Sequence, residues 1–404
     1  MSKKALAGIR VLEYAQLVAG PYCGKLLADL GAEVIKIEEP DAGDEARRRG
    51  PFPGDIPHPE RSALFLYLNT NKLGITLNLK TTTGMEIFKT LVKEMDILIE
   101  DKSPQTMKGL GLNFEILERI NPRLVMTSIT PFGQTGPYAE YKSYPLNSYH
   151  SGILGYLTPH GSPYPDRAPI KSGGMLGEYG CGLSAAVGTL AALYTQRITN
   201  MGQRVDVSKQ EAIIALERIY AAQYPNDRIS DSRFVNRPGL LGDLIPCKDG
   251  HVVFQINETH HWHAFVQLMG NPEWAQDKVY DDSHERGNRY AAEIKPRILE
   301  WAMNHTKEEI YHKGQAGNCP FAAVMSAEDV VNSEHLKTRE FFVDVEHPLA
   351  GKIKYPGAPY KFSETPWEIE NPAPLLGQHN EKIYCERLGY AKQDLVKLKE
   401  AGIV

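Results

Sequence analysis

The order of the first apolar segments limits this chain more than any other feature. Ile9 to Tyr14 reads as a strand, Gly20-Pro21 breaks it, Tyr22 to Leu30 carries a helical pattern, and Ala32 to Ile37 reads as a second strand. That is a βαβ unit. The alternation continues with Ile75 to Leu79 as strand, Gly84 to Lys93 as helix, Asp96 to Ile99 as strand, and Leu124 to Ile129 as strand after another short helix. Strands and helices taking turns predict an α/β fold with a mostly parallel sheet covered on both faces.

A second regime opens after Leu183 to Arg197, a helix whose Leu183, Val187, Leu190 and Tyr194 recur on one stripe. The stretch to about residue 235 reads as helix plus extended linker. From Pro246 onward, a Lys248-Asp249-Gly250-His251 turn precedes a strand, His251 to Ile256, and helical patterns cover Trp262 to Met269 and Ile294 to Met303. This is expected to be a smaller α/β domain. The proline-rich stretch from Pro348 to Pro374 looks extended, and helices near Glu381 to Leu388 and Gln393 to Glu400 close the chain. The expected division is a large domain over 1–215, completed by about 340–404, and a small domain over 235–330. Residues 216–234 and 331–339 are read as linkers.

With 404 residues, of which 42% are hydrophobic and 24% charged, the chain can bury a large core. A formal net charge of -5 offers no broad attraction to phosphate backbones or anionic lipid, so neither nucleic acid nor membrane is expected as a partner. Met1-Ser2-Lys3-Lys4-Ala5 has two lysines but no apolar run behind them, and a cytoplasmic location is expected. The five cysteines, Cys23, Cys181, Cys247, Cys319 and Cys385, are scattered without a C-x-x-C pair and are expected to be reduced and mostly buried.

The most informative local segment is Lys171-Ser172-Gly173-Gly174-Met175-Leu176-Gly177-Glu178-Tyr179-Gly180-Cys181-Gly182, read as a glycine-dense loop that delivers a carboxylate to the start of the long helix. A carboxylate there is favoured in its ionised form by unpaired N–H groups and the helix dipole, which suits a nucleophile for an acyl thioester. The plainer alternative is a first-turn acid that only stabilises its helix. Tyr138 and Lys142 stand at Y-x-x-x-K spacing, but no G-x-G-x-x-G follows the first strand, which argues against a nicotinamide enzyme. Thr259-His260-His261-Trp262-His263 lacks metal-ligand spacing, so no metal site is expected. P-loop and G-x-S-x-G patterns are absent.

Several separated segments together resemble family III (CaiB/BaiF) CoA-transferases. They include Gly8 to Glu13 continuing to Ala19-Gly20-Pro21, Leu30 to Glu38 with Gly43-Asp44, Asn69-Thr70-Asn71-Lys72 leading to Leu77-Asn78-Leu79-Lys80, and Gly133-Gln134-Thr135-Gly136-Pro137. Further on come Gly202 to Ser208, the Lys248-Asp249-Gly250 turn, Arg286 with Asn288, and Ala373 to His379. The resemblance implies a Rossmann-like large domain, a smaller α/β domain and an obligate dimer of interlocked rings.

The same resemblance implies a reaction with an acyl-CoA and a small carboxylic acid as substrates, the CoA thioester being a substrate and no cofactor tightly bound. In such enzymes a carboxylate, normally aspartate, forms a mixed anhydride and then a thioester with CoA. Aligning the glycine segment puts Glu178 at that position, one methylene longer. Leu77, Asn78, Leu79, Lys80 and Lys142 match residues that line the CoA site. Departures are Glu100-Asp101-Lys102 where E-N-F or similar is usual, Gly109 and Leu73 where basic residues are common, and Tyr144 to Ser148 in place of an aromatic-Asp helix start.

These departures leave two arrangements open, an active homodimer using Glu178 or a heteromer in which a related subunit carries the aspartate. In the family resembled, heteromeric members are found among enzymes that activate aromatic dicarboxylic acids such as benzylsuccinate, so the resemblance admits that substrate class. Other readings are an acyl-CoA isomerase or racemase using His150 with Glu178 as acid and base, and a non-enzymatic CoA-binding scaffold.

Overall fold

The alternating segments of the N-terminal half form one parallel sheet in the computed structural model, which describes residues 4–159, 164, 166–230, 232–234 and 242–404. Its strands are β1 (Arg10–Tyr14), β2 (Glu33–Glu38), β3 (Lys72–Thr76), β4 (Ile97–Glu100), β5 (Val125–Thr130) and β6 (Gln203–Ser208). They lie in the order β3-β2-β1-β4-β5-β6, every neighbouring pair parallel. The direction of winding reverses between β1 and β4, and in such sheets ligands bind beyond the carboxyl ends of the strands at that reversal.

The helices that accompany this sheet include α1 (Ala19–Asp29), α2 (Ala63–Leu68), α3 (Thr82–Val92), α4 (Pro104–Gly109), α5 (Phe114–Ile120), α6 (Pro145–Ser151), α7 (Leu176–Thr199) and α8 (Lys209–Leu216). Alternate strand residues feed two cores. Val11, Val34, Ile97, Ile99, Val125 and Ile129 pack with Cys23 and Leu27 of α1 and Cys181 and Ala185 of α7. On the other face, Leu12, Ile35, Ile75, Leu98 and Met126 meet Phe88 and Leu91 of α3, with Ile383, Tyr384 and Val404 from the chain end. The C-terminal segment therefore returns to the first domain. It also seals an edge: Asn380 Oδ1 accepts from the Thr76 amide at 2.9 Å and Tyr384 Oη donates to the Thr76 carbonyl at 2.6 Å, which leaves little of β3 free for stray pairing.

Three elements differ from the sequence reading. The third strand begins at Lys72 instead of Ile75, because Lys72 pairs in register with Val34 and turns its ammonium inward. Gln203–Ser208, which the sequence reading did not assign as a strand, is the sixth strand of the main sheet. Its outer half is exposed and charged, as suits an edge, so it lacks the apolar run that marks β4 and β5. The start of the extended proline-rich stretch is a strand, β11 (Gly351–Pro356), that forms an antiparallel hairpin with β10 (Phe342–His347) just before it.

The chain divides into two units, Met1–Arg233 with Phe341–Val404, and Phe234–Glu340. The stretches read as linkers hold the helices Arg218–Asp227 and Glu334–Thr338, and the expected domain start at residue 235 lies outside the described residues. In the second unit, β7 (Gly242–Cys247), β8 (Gly250–Gln255) and β9 (Ala322–Ala323) form an antiparallel sheet around Phe254, Trp262, Phe265 and Phe321. Among the described residues no helix is long and apolar enough to cross a membrane.

Between β1, β2 and β3 the sheet buries four charges. Glu13 pairs with Lys36 at 3.0 Å and with Lys72 at 2.8 Å, and Lys36 pairs with Asp44 at 2.8 Å, all with side chains sealed from solvent. Two cations meet two anions, so the group is neutral as a whole. Room for it depends on Gly24, where a Cβ would fall 1.9 Å from Glu13 Oε2. Burial favours the neutral lysine and brings Lys72 down to about 8, with Glu13 opposing it. The same groups hold the turn after β1: Lys36 donates to the Ala15 carbonyl, Lys72 to the Pro21 carbonyl, and Asp44 accepts from the Leu17 amide. Removing one member leaves its partner charged and dry. Glu13→Gln is expected to lower the unfolding free energy by about 3–5 kcal/mol in denaturant titration, whereas a loss below about 1 kcal/mol would show the charges to be hydrated.

Candidate functional site

The turn from β1 into α1 lies at the winding reversal. Leu17 adopts a left-handed conformation, φ 63°, which is costly for a branched side chain and needs fixed partners. Asp44 supplies one at 3.0 Å, and Asp101, just beyond β4, accepts from the Gln16 amide at 2.7 Å. Asp101 also pairs with Lys102 at 2.7 Å, and the Lys102 ammonium lies 4.7 Å from the centre of the Tyr14 ring. Burial works against that ammonium, but Asp101, Tyr14 and Asp44 together outweigh it and keep Lys102 above the ordinary lysine range. The segment Glu100-Asp101-Lys102 thus ties the ends of the two strands that flank the reversal.

The glycine-dense segment is only half loop. Lys171 folds the first part by donating to the carbonyls of Ser172 and Gly174, and α7 then begins at Leu176, earlier than the apolar pattern indicates. Gly177 lies in its first turn because α8 crosses there: a Cβ would stand 2.8 Å from Ile213 Cδ1. Glu178 follows in the same turn, buried, with its carboxylate 2.6 Å from Lys209 Nζ. Lys209 is the first residue of α8, which Ser208 caps by accepting from the Glu211 amide. Burial again opposes the charge, and Glu178 raises Lys209 above its usual range in spite of it. Against α1, Tyr179 meets Tyr22 edge to face at 4.9 Å.

The side chains expected to line a CoA site separate into groups. Leu77 and Leu79 are buried in the core over α3, and Asn78 binds the chain end through the carbonyls of Gly402 and Ile403. Lys80 is exposed and pairs with Glu39 at 2.8 Å, within electrostatic reach of Tyr14 and so of the β1 end. Lys142 is exposed, past a cluster in which Tyr138 stacks on Tyr141 at 4.8 Å. Tyr138 to Lys142 form no helix, so the Y-x-x-x-K spacing places nothing on a common face. His150 packs edge-on against Tyr149 and beside Gly155, and the hydrogen bond to Glu178 comes from Lys209. Of the histidine run, His263 binds Asp281 at 2.6 Å. Among the described residues no three His, Cys, Asp or Glu side chains are grouped to hold a metal.

Sequence reasoning missed Lys209. Its signal was its place, directly after a strand of the parallel sheet, where such folds put functional groups.

The family model for CoA-transferase family III matches residues 6–380. Formyl-CoA:oxalate CoA-transferase of Streptomyces coelicolor is 33% identical over 422 aligned positions, covering 100% of both chains. Succinyl-CoA–D-citramalate CoA-transferase of Chloroflexus aurantiacus is 31% identical, covering 99% of this chain and 98% of that one. The crystal structure of a CaiB/BaiF family protein from Brucella suis matches with a TM-score of 0.84 and 28% identity, covering 95% of this chain and 99% of that one.

At the end of β4, Glu100 is fully buried, and its Oε2 accepts from the Lys102 amide at 2.7 Å. Burial raises its carboxyl to about 7, against weaker lowering by Ser128 and that amide. A carboxyl raised in the folded state holds its proton there while the unfolded chain releases it, so stability falls as pH climbs from the ordinary carboxylate range through about 7. Glu100→Gln is expected to match the native chain near pH 4.5 and to exceed it above pH 7, by on the order of 3 kcal/mol at most. Urea midpoints at the two pH values check this; an offset independent of pH would contradict it.

Proposed function

We propose that this chain, which belongs to CoA-transferase family III, transfers CoA from an acyl-CoA to a carboxylic acid with Glu178 as its covalent nucleophile. The observation that carries the reading is the Glu178 carboxylate itself, buried in the first turn of α7 and ion-paired at 2.6 Å. An ionised carboxylate fixed in a dry site loses little solvent on attack, and fixed orientation is worth several kcal/mol in such reactions.

In the first step a Glu178 oxygen attacks the thioester carbonyl, the C–S bond breaks, and its electron pair leaves on CoA sulfur, giving a mixed anhydride. The thiolate then attacks the Glu178 carbonyl carbon and expels the donor acid as carboxylate, leaving a glutamyl thioester. The acceptor carboxylate reverses the two steps. The α7 dipole favours negative charge in this turn, by about 0.3–1 kcal/mol for one group.

Lys80 and Lys102 near the β1 end supply cations for the anionic substrate, where Gly109 and Leu73 offer none. Among the named relatives, oxalate and citramalate are dicarboxylates, and we take a small dicarboxylate as the acceptor class to test first.

A second chain, identical or related, is proposed to cover the outer face of α7. Leu176, Leu183, Val187, Tyr194 and Ile198 on this helix are each more than half exposed, an apolar strip opposite an inner face rich in small residues such as Cys181, Ala185 and Ala192. Light scattering is expected to show a dimer, reduced to monomer by Val187→Glu; an unaltered monomer in both would contradict this.

Incubation with acyl-CoA donors followed by hydroxylamine should place a hydroxamate on Glu178, identified by peptide mass, and Glu178→Gln should abolish both label and turnover. An unlabelled chain beside a labelled related subunit would instead make this the non-catalytic member of a heteromer.

A further inference from the structure

Reading Glu178 as the nucleophile leaves the role of Lys209 open, and the following inference rests on that reading. We propose that Lys209 is a counter-ion that exchanges partners during the reaction: Glu178 at rest, the CoA thiolate while the anhydride exists, and the expelled acid once the glutamyl thioester has formed.

The argument begins with charge. Each covalent step removes the negative charge from Glu178 and creates one on a leaving group, sulfur first and carboxylate oxygen second. An ammonium 2.6 Å from Glu178 would otherwise be left unpaired in a site where its partner is only 5% exposed. That is costly for a buried ion, so stabilisation goes to whichever state puts an anion beside it. The Lys209 side chain, at 21% exposure, is the more open member of the pair, so a thioester approaching Glu178 from solvent meets the ammonium too.

A purely structural role explains the position less well. Lys209 is the first residue of α8, where the helix dipole disfavours a cation, and Ser208 already caps that helix. Cys181, buried nearby, cannot supply the second charge, because burial pushes its thiol up to about 12. No atom is added or lost in this account. Lys209 keeps its proton, and only its ionic partner changes.

The test compares Lys209→Met with Lys209→Arg in the full protein, using succinyl-CoA as donor. Three quantities are followed: CoA affinity by calorimetry, melting temperature, and the single-turnover rate of Glu178 modification. Expected for Lys209→Met is near-native CoA binding with acylation slowed by about 100-fold, the scale seen when one preorganised charge stabiliser is removed. Lys209→Arg, which keeps the charge, should retain most of the rate and guards against simple misfolding of the methionine variant. Acylation at the native rate in Lys209→Met would overturn the proposal. So would equal losses of binding, melting temperature and rate in both variants, since these would mark a structural clasp. If the native protein shows no label on Glu178 while binding CoA, the nucleophile reading fails instead, and the two failures are distinguished.

Discussion

Four mutually paired buried charges, three on the first three strands and one just after β2, are the constraint on which the site depends. Glu13, Lys36, Lys72 and Asp44 neutralise one another, and their spare hydrogen bonds go to Ala15, Leu17 and Pro21. Such a group contributes little net stability compared with apolar packing, but it tolerates few other arrangements, because every alternative strands a charge. It therefore specifies the path of the β1–α1 turn. Asp101 extends that specification across the winding reversal through the Gln16 amide.

From that turn the rest of the site follows by contact. α1 leaves it and packs against α7 through Tyr22 and Tyr179, and α7 presents Glu178 at its start. β5 and β6 end beside α8, whose first residue is Lys209, and the Gln210 amide donates to the Pro131 carbonyl after β5. The carboxylate and its counter-ion thus come from two helices that both begin at the carboxyl edge of the sheet. A scaffold of this kind holds the two side chains more firmly than a loop would, since each rests on elements packed on two sides.

The sequence made the order of strands and helices legible, because β4 and β5 are buried runs and α1 and α3 have clear breaks on either side. It also marked Glu178 as a carboxylate near the head of a long helix. The face of that helix was less legible. Leu183, Val187 and Tyr194 form the conspicuous stripe, yet they point outward, and Cys181, Ala185, Thr189 and Ala192 face the core. Close approach demands small residues: Thr189 reaches Thr127 of β5 at 2.7 Å. Hydrophobic periodicity reports where large apolar residues lie, and cannot say whether a core or a second chain will cover them. Lys72 and Lys36 were opaque for a related reason. A buried lysine carries no local signature; only the long-range pairing that brings a carboxylate to it explains its presence.

The most direct measurement of the central claim follows oxygen. With an acceptor acid labelled in both carboxylate oxygens with heavy oxygen, attack on the glutamyl thioester gives an anhydride whose bridging oxygen is labelled. Return of CoA to the acceptor carbonyl leaves that oxygen on Glu178. Turnover in the presence of donor should therefore add heavy oxygen to the peptide carrying Glu178 and to no other carboxylate. Product formation with an unlabelled Glu178 would contradict the account, because CoA would then have passed between acids without a covalent bond to this residue.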